Sequence, residues 1–277
     1  MSAASSTSST GAEARGQGAG RAFSTQVYYL AQRSVLRTLR QPATVLPAIA
    51  FPMLLLAVYA SGLGPASSLE GFPADSYLNF IFVFPLIQGA VFAAISAGTD
   101  LARDIESGFL NRLSLTPMRP VSLLAGLLAG VVALGLVQGV VFLTIGTIAG
   151  VEIKAGILGV PVILLFSVLV ALGFGGVGAI FALRTGSAEA VQGMFPLIFV
   201  SLFLSSMIFP RELIENDWFR VIATINPVSY MAEGIRSLII TGWSLQELGL
   251  GFLAAGGLVV AGLLGAAYSL RTRMEAK

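Results

Sequence analysis

Histidine and cysteine are both absent from the 277 residues, and lysine occurs only at Lys154 and Lys277. The side chains that most often bind zinc, copper or haem, or serve as acid–base catalysts, are therefore missing, and disulfides are excluded. Neither lysine follows a glycine-rich loop, so the G-x-x-x-x-G-K-[ST] phosphate cradle is absent, and with it ATP hydrolysis by that device. Charge is scarce as well: 11% of residues are charged against 56% hydrophobic, and the mean hydropathy is +0.87. A soluble domain carries about a quarter charged residues. This chain cannot clothe a water-facing surface, and its solvent is the bilayer. The net charge of +2 and pI near 9.1 do not point to nucleic acid, because the arginines are spread between apolar runs and form no single patch.

What is present is a series of apolar runs long enough to cross a membrane. Residues 1–22 are Ser, Ala, Gly and Thr with little charge, and read as a disordered cytoplasmic tail without the apolar core of a secretory signal. From Phe23 to Arg40, Arg33, Arg37 and Arg40 share an arc of about 60° at helical pitch, with Tyr28, Ala31, Val35 and Leu39 largely opposite. The pattern predicts an amphipathic helix on the membrane surface, its arginines towards anionic head groups; a solvated juxtamembrane helix is the alternative. Six spans follow, at 43–62, 78–99, 121–149, 157–183, 191–209 and 250–270. With the N-terminus cytoplasmic, twelve basic residues fall inside and four outside, Lys154, Arg211, Arg220 and Arg236. The positive-inside rule then puts both termini in the cytoplasm of a multi-pass cell-membrane protein, which requires an even number of crossings.

Two segments between spans carry more information than the spans. The loop after span two holds Asp100, Arg103, Asp104, Glu106, Arg112 and Arg119, with Ile105, Phe109 and Leu113 four apart and Pro117 closing the run. A short amphipathic helix over 103–116 is expected, either as a solvated linker or as a docking element whose apolar face enters a groove on a soluble partner. The interval 211–247 is too apolar for a free aqueous loop, and Pro227 interrupts any continuous helix and holds Asn226 extended. Two short helices meeting at Asn226–Pro227 are expected, partly sunk in the outer leaflet; one long last helix broken by a proline is the alternative.

These two segments carry a resemblance. The run Asp104-Ile105-Glu106-Ser107-Gly108-Phe109-Leu110-Asn111-Arg112-Leu113-Ser114-Leu115-Thr116-Pro117 resembles the E-x-G-(T/F)-L-x-R-L-x-x-T-P cytoplasmic motif of ABC type-2 exporter permeases, with Gly-Phe as in the daunorubicin-type drug-exporter branch. Asn226-Pro227-Val228-Ser229-Tyr230 followed by Glu233-Gly234-Ile235-Arg236 is similar to that family's motif before the last span, with one extra residue between Tyr and the acid. The resemblance, over about residues 23–272, implies an all-α polytopic protein with a coupling helix and a re-entrant helical hairpin. It implies ATPase contact through Asp104, Glu106, Gly108, Phe109, Arg112, Leu113, Thr116 and Pro117. It implies an outer gate built around Asn226, Pro227, Tyr230, Glu233 and Arg236. The expected partners are two copies of a separate ATP-binding subunit, which carries the ATP and Mg, and a second permease, identical or related. This chain itself is expected to bind no cofactor and to be no enzyme. The expected cargo is a small amphiphilic compound such as a drug or antibiotic; lipid or lipid-linked polysaccharide export, and a non-transporting membrane scaffold, are the alternatives.

Within the spans, Gln88, Gln138 and Gln192 are expected to face the bundle or a pathway, as interhelical glue or as substrate contacts. No span has a central charge, which disfavours a proton- or sodium-coupled carrier. Glycines four apart, Gly126 and Gly130, Gly135 and Gly139, then Gly257, Ala261 and Gly265, predict close helix approach, either inside one subunit or along a dimer seam.

Overall fold

The computed structural model describes residue 25 and residues 27–37, 40, 42–108 and 120–275. Every regular element among them is helical: α1 at 27–37, α2 (Pro42–Gly62), α3 (Tyr77–Ile81), α4 (Val83–Glu106), α5 (Pro120–Ile148), α6 (Gly159–Thr185), α7 (Ala188–Gly193), α8 (Phe195–Phe203), α9 (Asp217–Ile225), α10 (Pro227–Ile240) and α11 (Leu245–Glu275), with short 3-10 turns at Gly64–Ser68 and Arg211–Leu213. The protein is an all-α polytopic membrane protein. Five stretches are long and apolar enough to cross a bilayer: Val45–Gly62, Tyr77–Glu106, Leu124–Ile148, Gly159–Thr185 and Leu245–Glu275.

The span expected at 191–209 takes another form. It is two helices, α7 and α8, broken at Met194 before Pro196 and ending at Phe203, and the 16 residues from Ala188 to Phe203 would reach only about 24 Å as one straight rod. The following 204–210 are irregular. Even so the segment runs the length of the bundle. At its start, the backbone N–H of Ala188 donates to Glu106 Oε1 at the last turn of α4 (2.8 Å). At its end, Ser206 and Met207 share a ligand, Arg236, with Phe80 just before α4 begins.

α4 is the central post. Residues 83–91 are all buried, and 78% of its most apolar window is covered by protein, against 17% for α2 and 22% for α11. The outer helices instead turn Leu46, Leu54 and Val58, or Leu253, Val260 and Leu264, outward, as a lipid solvent permits. Glycine sets the close approaches. A Cβ on Gly98 would lie 3.0 Å from Gly178 O where α4 meets α6, and one on Gly176 would lie 2.6 Å from the carbonyl carbon of Gly262 where α6 meets α11. Gly126 and Gly130 receive Leu30 and Ser34 of α1, while Gly135 and Gly139 face Ala171 and Leu164 of α6. These four thus serve packing inside the chain. Gly257 has nothing within 4 Å.

Candidate functional site

One end of the bundle is a charged seam. α1 does not direct all its arginines to lipid: Arg37 pairs with Asp100 (3.0 Å) and Asp104 (3.1 Å), and Arg33 reaches Asp104 at 3.4 Å. The amphipathic pattern shows which side is charged but not that two acids on α4 are waiting for it. Arg40 is exposed. Partly exposed pairs of this kind contribute about 0–1 kcal/mol each, so α1 is held mainly by its glycine-lined packing on α5.

Asp104 and Glu106, expected in a separate helix over 103–116, lie in the last turn of α4, which ends in a turn at Ser107 and Gly108. Gly108 has φ +68, a left-handed conformation that suits glycine. Phe109, Arg112, Leu113, Thr116 and Pro117 lie outside the described residues, as does the expected tail at 1–22. Glu106 binds inside the chain, capping the first turn of α7 beside Ser187, whose Oγ accepts from Ala190 N (3.3 Å). At the same end Gly186, φ +66, closes α6, and Arg273 of α11 donates to Leu183 O.

The opposite end holds the second cluster. α8 stops at Phe203 in the interior, leaving its last carbonyls without helical partners. α10 supplies them. Asn226, Ser229, Glu233 and Arg236 recur at intervals of three and four, so they share one face of α10. Asn226 Oδ1 caps α10 by accepting from Val228 N (3.0 Å), while its Nδ2 donates to Ser201 O (2.6 Å) and Leu204 O (3.0 Å). Ser229 Oγ accepts from Ser206 N at 3.0 Å, and Ser206 Oγ donates to Glu233 at 2.6 Å. Arg236 donates to the carbonyls of Phe80 (3.1 Å), Ser206 and Met207 (3.0 Å each), its guanidinium 3.7 Å from the Phe80 ring centre. Arg211 grips Glu233 with two bonds of 2.7 and 2.5 Å and lies over the Tyr230 ring, and Tyr230 OH donates to Thr224 O. Burial pushes the Arg236 guanidinium down to about 10, with the Glu233 charge opposing the fall. It stays protonated at neutral pH. Pro227 occupies the first position of α10, where no N–H is needed.

Asn226 therefore has two jobs that a substitution can separate. Aspartate caps as well as asparagine, yet Asn226→Asp replaces the donor facing two carbonyls by an acceptor. It is expected to destabilise the purified protein by about 1–3 kcal/mol in thermal unfolding, and an unchanged melting temperature would remove the carbonyl-binding role.

The glutamines divide. Gln88 is fully buried on α4 with neither amide atom partnered among the described residues. Gln138 donates to Ala48 O (3.2 Å), tying α5 to α2, while its Oε1 finds no partner among the described residues. Gln192 does not face the bundle: it is exposed, because the break after Gly193 turns that side of α7 outward. Ser206 and Ser229, the latter within the Asn226–Tyr230 motif, are buried links of the cluster, and their pairing is readable only once a helix end is known to fall at Phe203.

A sequence description of the ABC-2 type transporter family matches residues 25–240, most of the chain and both clusters. The chain belongs to the ABC-2 type transporter family. Relatives include the probable doxorubicin resistance ABC transporter permease protein DrrC of Mycobacterium tuberculosis H37Rv, 28% identical over 237 residues, covering 84% of this chain and 83% of that one. The putative transport permease ycf38 of Porphyra purpurea is 29% identical over 229 residues (80% and 77% covered), and that of Cyanophora paradoxa 26% over 222 residues (78% and 74%). As an ABC-2 permease the chain is the transmembrane subunit, and ATP hydrolysis resides on a separate ATP-binding subunit. The ABC-2 match ends at Ile240, so α11 lies beyond it.

Proposed function

We propose that this permease is the membrane half of an ATP-driven exporter that moves an amphiphilic or hydrophobic compound, a drug or antibiotic, out of the cytoplasm or inner leaflet. Two permease chains, identical or related, form the pathway with two ATP-binding subunits beneath, which carry the ATP and magnesium. The observation that carries the reading is the broken segment α7–α8. Glu106 holds its start, next to the loop whose motif contacts the ATPase, and Asn226, Ser229 and Arg236 hold its far end. A push on the coupling segment at 103–116 is thereby delivered through one short element to the Asn226–Pro227 junction, which acts as the outer gate. Both α1 and the last turn of α11 meet the Glu106 end of the bundle, which supports six crossings with both termini in the cytoplasm.

The test uses the permease with its ATPase in inside-out vesicles. Phe109→Asp is expected to leave insertion and ATP hydrolysis in place while abolishing ATP-dependent uptake of a fluorescent hydrophobic drug. Doxorubicin, from the relative's name, is the first cargo to assay. Undiminished uptake in Phe109→Asp would overturn the coupling role. Glu106→Arg is less clean, because it also removes the cap on α7, worth about 1 kcal/mol. The low charge of the spans favours apolar cargo; uptake of a lipid-linked sugar and not of any drug would move the assignment to lipid export.

A further inference from the structure

A cavity of about 410 Å³ opens beside the Arg211–Glu233 pair, within the roughly 300–1,000 Å³ range of small-molecule sites. Its ionisable groups are arranged by depth. Arg236, only 6% exposed, lines its base; it is held by main-chain carbonyls and a ring face, and has no carboxylate at ion-pair distance among the described residues. Arg211 and Glu233 satisfy one another on the wall. Glu212 and Glu247, both exposed, stand at the rim, and neither joins an ion pair among the described residues. Arg236 feels the Glu233, Glu247 and Glu212 charges but pairs with none of them at ion-pair distance, so an anion can dock beside it and a cation between the two exposed rim carboxylates. The cavity wall also includes Leu250, 43% exposed, which continues into the outward Leu253 of α11. An apolar flank thus leads directly from the charged cavity.

We propose that this cavity is a binding site for an aminophospholipid, with its phosphate towards Arg236, its primary ammonium between Glu212 and Glu247, and its acyl chains along the Leu250–Leu253 flank of α11. A primary ammonium has three N–H donors for the two rim carboxylates, whereas a quaternary choline has none and a glycerol headgroup has no charge to offer them. The site shares Tyr230, Glu233 and Arg236 with the junction described above, but its occupancy does not depend on the identity of the exported cargo.

The experiment is native mass spectrometry of the full-length permease released from nanodiscs of equal phosphatidylethanolamine, phosphatidylcholine and phosphatidylglycerol. Phosphatidylethanolamine is expected to be retained at least about tenfold over either competitor, the lower end of the scale of one charge-assisted hydrogen bond. The preference is expected to vanish in a Glu212→Gln, Glu247→Gln double variant, whose rim positions leave the buried network intact. Free O-phosphoethanolamine tests the tail: it is expected to displace the lipid poorly, and displacement at equal concentration would overturn the part assigned to the α11 flank. Retention of dodecylamine equal to that of phosphatidylethanolamine would show a plain cation site and overturn the phosphate assignment. Equal retention of the three lipids, or an unaltered preference in the double variant, would overturn the proposal while leaving the export reading untouched.

Discussion

Arg236→Met is expected to destabilise the protein by on the order of 3–5 kcal/mol, the range for breaking a buried charged network by removing one member. Methionine fills similar volume but strands the carbonyls of Phe80, Ser206 and Met207, for which the guanidinium is the one shared side-chain donor among the described residues. Phe80 belongs to α3, Ser206 and Met207 to the break after α8 and Arg236 itself to α10, so losing the guanidinium unties three elements at once. Arg236→Lys keeps the charge but not the planar fork that reaches three acceptors, and is expected to recover only part of the loss. Thermal unfolding of the purified protein in one detergent measures both. A melting temperature for Arg236→Met equal to that of the wild type would mean that the carbonyls are satisfied by other means, and the gate reading of this junction would lose its anchor.

The same cluster shows what the sequence discloses and what it withholds. Helix existence was legible, because runs of about 20 apolar residues have one solution in lipid, and the expected spans at 121–149 and 157–183 lie over α5 (Pro120–Ile148) and α6 (Gly159–Thr185). The residues Asn226, Glu233 and Arg236 were legible as a motif. The partners of Asn226 and Arg236 were not: they are backbone carbonyls 22 to 156 positions away, and carbonyls carry no residue-type signal, while Glu233 binds the side chains of Ser206 and Arg211. Similarly, the charge pattern of α1 gave Arg33 and Arg37 a common face, but a lipid phosphate and an aspartate on α4 attract arginine alike, and only packing on Gly126 and Gly130 decides between them. Of the two positions expected for Gln192, bundle or pathway, its exposure removes only the first, and for a different reason. A polar residue in an apolar run faces inward only if the helix continues, and α7 ends one residue later.

Glycine spacing is the signal that most needs a measurement, because one pattern has two uses with opposite consequences. At the crossing of α6 and α11 a Cβ on Gly176 would meet the main chain of Gly262 at 2.6 and 2.7 Å, and a Cβ on Gly262 would lie 2.7 Å from Gly173 O. Main chain cannot rotate away as a side-chain tip can, so Gly176→Ala must push two helices apart. Overpacking costs about 1–3 kcal/mol and loses contacts along the whole seam, outweighing the ~0.5–1 kcal/mol that alanine gains over glycine inside a helix. Gly176→Ala and Gly262→Ala together are expected to cost less than the sum of the single changes, because the first already opens the gap that the second needs. Gly257→Ala is expected to do the reverse. With no atom within 4 Å to obstruct it, the added methyl leaves only the propensity gain, a stabilisation of ~0.5–1 kcal/mol in the same melting experiment. A loss at Gly257 instead would place a close-packed partner against that face of α11, and would reassign Gly257 and the exposed Ala261 from lipid-facing surface to a seam between two permease chains, whereas Gly265 already packs on Ile180 of α6.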